Sequence, residues 1–187
     1  MARHSCEVSV VIPAYNESER IGRTLQVTAA CLRREIESFE IIVVDDGSRD
    51  KTGEAAGEAI QRLRLGKLAR VISYSPNQGK GWALRQGAEA AQGRYVAFFD
   101  ADLDISPRHI PAYLAVLRTE KADAVVASKR HPESSLEYAR SRVLISNIYY
   151  WFNRIFFGLD IKDTQSGMKL FRREVLDRAM PRLLGKR

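Results

Sequence analysis

"YVAFFDADLD", Tyr95–Asp104, opens with five mostly apolar residues rich in strand formers and runs straight into three carboxylates at alternate positions. Such an apolar run reads as a strand buried on both faces, the pattern of a parallel sheet. Buried strands seldom end on three acids for structural reasons alone. The stretch therefore poses a question of fold and a question of chemistry together.

Working outward, the same layout recurs. "VSVVIP" (Val8–Pro13) reads as a strand leading into "PAYNE", and "FEIIVVDDGS" as a strand ending at Asp45. "LARVISYS", "RYVAFFD" and "ADAVVAS" supply the third, fourth and fifth strands. Helical patterns separate them. Glu17 to about Glu37 carries Ile21, Leu25, Thr28 and Leu32 at near-helical spacing. Asp50–Leu63 follows with Asp50 as N-cap. "GWALRQGAEAAQG" is closed by Gly93, and "SPRHIPAYLAVLR" starts with Ser106 as N-cap and Pro107 at the first helical position. Strands alternating with helices predict an α/β fold: a doubly wound, mostly parallel sheet with helices on both faces. Ligands of such sheets bind beyond the carboxyl ends of the strands. "PAYNE", "DDGS" and "DADLD" each follow a strand, so all three are expected at one edge.

The 187 residues suit a single domain with a real core. Cys6 and Cys31 lie far apart without metal-ligand spacing and read as reduced, packed thiols, which favours a cytosolic setting. The apolar run before Pro13 is too short for a signal peptide. No stretch of about 18 uninterrupted apolar residues is present. The net charge of +7 resides entirely in residues 129–187, which hold 13 Lys+Arg against 6 Asp+Glu. A basic final third suits nucleic acid, an anionic membrane or a phosphorylated substrate, and charge alone does not choose.

An extended backbone would turn Asp100, Asp102 and Asp104 to one side. Close anions repel, and a divalent cation relieves them; hard oxygen donors suit Mg²⁺ or Mn²⁺. Mg²⁺ commonly completes its shell with substrate phosphates, which points to a nucleoside diphosphate. Capping of the helix near Ser106 is the competing reading, and for Asp104 an equal one. Asp45 and Asp46 before Gly47 make either a tight turn or acceptors for a base N–H or a ribose hydroxyl. Gly79 and Gly81 around Lys80, just ahead of a helix, could meet phosphate, although neither a Walker A loop nor a dinucleotide fingerprint is present. His4, His109 and His131 are scattered and read as bystanders.

"VVIPAYNE", "EIIVVDDGSRDKT", "NQGKGWALRQG", "YVAFFDADL" and "DTQSGMKLFRRE", in this order, make the chain resemble family-2 glycosyltransferases from about Val8 to Leu176. It looks most like the subgroup that moves a sugar from a nucleotide sugar to a polyprenyl or dolichyl phosphate, with "DTQSGMKLF" the most discriminating segment. The resemblance implies a GT-A-type fold and a single catalytic domain over residues 1–187. It also implies a further segment beyond Arg187, so the chain is expected to be truncated, a fragment or a short form dependent on a partner. Pro13, Tyr15 and Glu17 with Asp46 would line the nucleoside pocket. Asp100 and Asp102 match the family's DxD, the second acid reaching the metal and the first the ribose or the metal. Ser128, Lys129 and Arg130 match a basic motif near the diphosphate. Gln165, Ser166, Gly167 and Lys169 match the segment around the donor sugar and the acceptor phosphate. Relatives that transfer mannose commonly carry Gln in place of Asp104.

The function implied is transfer of a hexose, glucose before mannose, from UDP-glucose or GDP-mannose to a polyprenyl phosphate, inverting and dependent on Mg²⁺ or Mn²⁺. The catalytic set would be Asp102, Lys129, Arg130, Gln165 and Lys169, with Lys80 on the donor. A phosphate acceptor, with its second pKa near 6, needs no dedicated base. Two alternatives stay open. A family-2 transferase acting on a sugar hydroxyl would need a base such as Asp163. A module that has lost catalysis could bind nucleotide or RNA, yet no sheet face with interleaved aromatic and basic residues is evident, so no nucleic acid is expected. The apolar, aromatic stretch Val143–Leu159, flanked by Arg140, Arg142 and Lys162, suits a membrane interface as well as a core helix. The expected location is peripheral, at the cytosolic face of a membrane.

Overall fold

The computed structural model describes residues 5–126 and 167–183. Nearly all of these belong to one compact unit, Met1–Val125 with Gly167–Arg187. In chain order the elements are β1 (Cys6–Ala14), α1 (Ile21–Glu35), β2 (Phe39–Asp46), α2 (Thr52–Arg62), β3 (Ala69–Tyr74), α3 (Lys80–Ala90), β4 (Gly93–Phe99), α4 (His109–Thr119), β5 (Ala124–Val126), β6 (Met168–Arg172) and α5 (Arg173–Leu183). They build a six-stranded sheet of order β3-β2-β1-β4-β6-β5. β1 pairs in parallel with both β2 and β4, and β2 pairs in parallel with β3. β6 runs antiparallel to β4.

The expected doubly wound, mostly parallel sheet is therefore present, with one reversal that the sequence pattern did not reveal. All eight residues of β2 are buried, as a central parallel strand requires. On one face Val11, Ile42, Val44, Val96 and Phe98 pack with Ala83 and Ala88 of α3 and Leu176 of α5. α1 buries Ile21, Thr24, Leu25, Thr28, Ala29 and Leu32 at helical spacing and packs against α2 and α4. Full burial of a side chain such as Leu25 or Leu32 contributes about 2–3 kcal/mol each.

Four element ends differ from the sequence expectation, each for a local reason. α1 begins at Ile21, not Glu17, because the Glu17 N–H donates to Thr52 Oγ1 (2.8 Å) while residues 17–20 form a turn closed by the Ile21 N–H on Glu17 O (2.8 Å). Lys51, at φ 66°, takes the N-cap position expected for Asp50, although Asp50 Oδ1 still accepts the Thr52 N–H at 3.1 Å. α3 stops at Ala90, and Gly93 instead opens β4, its N–H donating to Ser9 Oγ at 2.8 Å. α4 starts at His109, two residues beyond Pro107, because the Ser106 carbonyl accepts the His109 N–H (3.2 Å) in a preceding turn.

The amino ends of the strands carry a buried polar knot. Glu40 accepts from Ser9 Oγ (2.6 Å), the Gln92 N–H (2.6 Å) and Arg70 Nη1 (2.6 Å), and Arg70 Nη2 caps the end of α3 at Ala90 O (2.6 Å). Glu40 is thus paired and hydrogen-bonded, the condition under which a carboxylate is tolerated inside a sheet. The knot holds β1, β2, β3 and α3 together at the edge away from the acids.

Candidate active site

At the carboxyl edge the parallel register brings the ends of β1, β2 and β4 side by side: Ala14 lies opposite Asp45, and Val11 lies opposite Phe98. A cleft of about 320 Å³ opens there, lined by residues that include Pro13, Tyr15, Glu17, Asp46, Lys80, Asp100 and Asp102. Seven of the residues expected at the site from sequence are thus brought together. Lys129, Arg130 and Gln165 lie outside the described residues, as do Asp163, Ser166, Ser128 and the segment Val143–Leu159. Lys169 sits in β6 opposite Phe98 and does not line the cleft.

The acids do not form the expected triplet. β4 ends at Phe99, and the backbone then turns, with Leu103 at φ 60°, so alternate residues no longer share a side. Asp100 and Asp102 face the cleft; Asp104 does not line it, and its N–H donates to Asp102 Oδ1 at 3.0 Å. Among the described residues no group of three or more His, Cys, Asp or Glu converges as a metal cage. Two carboxylates beside a Lys in an open cleft match instead a cation that takes most of its oxygen ligands from a substrate. Buried Thr24 anchors this turn by donating from Oγ1 to Ala101 O at 2.5 Å. Lys80 Nζ lies 2.6 Å from Asp100 Oδ1.

Asp45 and Asp46 part company, as neighbours on a strand must. Asp45 accepts the Ser48 N–H at 3.1 Å, closing the turn in which Gly47 takes φ 67°. Asp46 is only 3% exposed. It accepts from Asn77 Nδ2 (2.9 Å) and from the N–H groups of Gln78 (2.8 Å) and Gly79 (2.9 Å). The carboxylate expected to read a base or ribose is thus first of all the clamp that shapes the loop before α3. Tyr74 is the neighbour on β3: burial, then the Asp46 and Asp45 charges, push its hydroxyl pKa up, so it stays protonated.

A second network joins the loops after β1 and β2. Ser48 Oγ accepts the Asn16 N–H (3.0 Å), and Asn16 Oδ1 accepts the Arg49 N–H (2.9 Å). Asp50 accepts the Ser18 N–H (3.1 Å) and the Thr52 hydroxyl (2.5 Å). Sequence reading missed this role of "GSRDKT", and also Ala14, Asn77, Ala83 and Ala101 as cleft residues, whereas Gly79, expected near phosphate, does line the cleft. The available signal was the Asn-x-Gly immediately ahead of a helix. Cys6 and Cys31 are free, and burial, aided by Glu40 and Glu35 respectively, raises both thiol pKa values. His109 stands beside Tyr113, away from the cleft.

Comparison with known proteins adds three findings. The family model described as glycosyl transferase family 2 matches residues 9–179. The chain is 35% identical over 175 residues to the glycosyltransferase AglD of Haloferax volcanii, covering 91% of this chain and 27% of that protein. It is 33% identical over 192 residues to the dolichyl-phosphate beta-glucosyltransferase of Saccharomyces cerevisiae, covering 94% of this chain and 58% of that one. The chain thus spans between about a quarter and three-fifths of these relatives' length. Among solved structures, glucosyl-3-phosphoglycerate synthase from Mycobacterium tuberculosis, in complex with Mn²⁺, UDP-glucose and phosphoglyceric acid, superposes with a TM-score of 0.65 at 26% identity. That match covers 94% of this chain and 59% of the other. The fold is of the GT-A type, as expected.

Proposed function

Because the chain belongs to glycosyl transferase family 2, we propose that it transfers a hexose, glucose before mannose, from a nucleoside-diphosphate sugar to a polyprenyl phosphate with inversion. The observation that carries this reading is the convergence of Pro13, Tyr15, Glu17, Asp46, Lys80, Asp100 and Asp102 on one cleft. The names of the yeast relative and of a dodecaprenyl-phosphate galacturonate synthase, 28% identical, support the acceptor class.

Pro13, Tyr15 and Glu17 would take the nucleoside, on a wall fixed by the loop that Asp46 clamps. Lys80 and the amino end of α3 would meet the diphosphate, where a cation and free N–H groups favour an anion. Asp100 and Asp102 fit Mg²⁺ or Mn²⁺ as hard oxygen donors, and Mn²⁺ stands in the named complex of the mycobacterial synthase. When bound, such a cation supplies neutralisation of the leaving diphosphate. An acceptor phosphate oxygen would bond to the anomeric carbon as the bond from that carbon to the diphosphate breaks. The acceptor is already largely anionic at neutral pH, so no residue has to remove a proton. Lys129, Arg130 and Gln165 would then orient two phosphate groups and the sugar, a positioning task. Peripheral membrane association follows from the acceptor; among the described residues no helix is long and apolar enough to cross a membrane.

The test incubates the protein with UDP-glucose or GDP-mannose and a polyprenyl phosphate, with and without Mn²⁺. Glycolipid formation that needs the metal is expected, with Asp102→Ala lowering it by about 10²-fold or more at an unchanged melting temperature. Absence of product from every donor, or an Asp102→Ala variant as active as the parent, overturns the reading.

A further inference from the structure

Asp100 lies against a residue that no side chain separates from it. The start of β6 arrives at the carboxyl edge, with Met168 opposite Phe99, and the Asp100 N–H donates to Gly167 O at 3.1 Å. A Cβ built on Gly167 would lie 2.6 Å from Asp100 Oδ2, 3.0 Å from Cγ and 3.3 Å from Cβ. The three atoms nearest to that Cβ all belong to Asp100. Asp100 cannot back away as a rigid unit, since its own N–H is tied to Gly167. It would have to rotate, taking Oδ1 from its 2.6 Å contact with Lys80 Nζ.

We propose that Gly167 is a positioning residue for Asp100: the space left by its missing side chain sets where the first cleft carboxylate sits and thereby the affinity of the site for its divalent cation. The proposal rests on the reading that Asp100 and Asp102 hold that cation.

Three variants test it: Gly167→Ala, Asp100→Ala and the double variant. Mn²⁺ alone is titrated against each by electron paramagnetic resonance, and each is melted without metal. Gly167→Ala is expected to weaken Mn²⁺ binding about tenfold or more and to lower the melting temperature. In the Asp100→Ala background the same substitution is expected to change neither. An equal loss of stability in both backgrounds shows that the glycine serves the β6 backbone and overturns the proposal, as does a Gly167→Ala variant that binds Mn²⁺ like the parent while Asp100→Ala does not. If Asp100→Ala itself binds Mn²⁺ as the parent does, the cation assignment falls and takes the inference with it. Should Gly167→Ala fail to fold, the double variant is expected to fold again; its failure to do so also counts against the proposal.

Discussion

Asp100 divides its carboxylate between two neighbours: Oδ1 meets Lys80, and Oδ2 faces Gly167. Lys80 keeps most of its side chain in water at 59% exposure, so the pair is worth about 0.5–1 kcal/mol. In the proposed reaction the same ammonium serves the diphosphate, which gives its removal two opposite effects. Lys80→Met is expected to tighten Mn²⁺ alone by about two- to fivefold, because Asp100 loses a competing cation. It is expected to loosen UDP in the presence of Mn²⁺ by at least as much, because the phosphates lose theirs. Calorimetric titration of the two ligands checks both, and shifts of the same sign would separate Lys80 from one of its two partners. At this scale the sequence was informative where chemistry dictates type: acids and a lysine directly after strands have few structural uses. It placed Asp46 at the site but did not reveal its clamping role, because its three loop hydrogen bonds depend on where Asn77–Gly79 return in space.

The two loops above β1 and β2 behave as one element because short polar side chains stitch them together. Asp50 is the knot between Ser18 and Thr52. Burial works to raise its pKa, but the hydrogen bonds from Thr52 and Ser18 outweigh that and hold it below the usual carboxylate range. A folded-state pKa below the unfolded one, near 3.9, means stability that is fully present above that value. It is lost as pH falls through the folded-state pKa. Asp50→Asn, which cannot accept all three bonds, is therefore expected to melt lower than the parent at pH 7. The gap should close as the pH is taken from 5 towards 2, and melts across that range by circular dichroism read it directly. A gap independent of pH would mean the stitching is steric. Elements were legible wherever periodicity is strong: Ile21, Leu25, Thr28 and Leu32 are all buried in α1. β6 escaped because "MKLFR" is only five residues long, carries charges at Lys169 and Arg172 without a clean period of two, and its partner β4 lies some 70 residues earlier. Only the closing of the sheet makes it a strand.

For the whole molecule, the distribution of charge matters more than its total. Residues 5–126 form the body of a sheet whose carboxyl edge collects acids, while the +7 excess belongs to residues 129–187. The stretch Val143–Leu159 within that third is rich in Ile, Tyr, Trp and Phe, with Arg154 its only charge. A polyprenyl phosphate presents its headgroup at the membrane interface, so a transferase for it gains from binding there. Each Lys or Arg near an anionic surface contributes about 1 kcal/mol, falling off within a Debye length. The protein is accordingly expected to sediment with phosphatidylglycerol-containing vesicles and far less with phosphatidylcholine alone, and to be released by about 0.5 M salt, where screening shortens that range to a few ångströms. Trp151→Glu with Phe156→Glu is expected to abolish binding to anionic vesicles even at low salt while leaving the melting temperature of the sheet unchanged. Indifference to both vesicle types, or a double variant that simply unfolds, would assign Val143–Leu159 to a packed interior and leave the basic third to the phosphates of donor and acceptor.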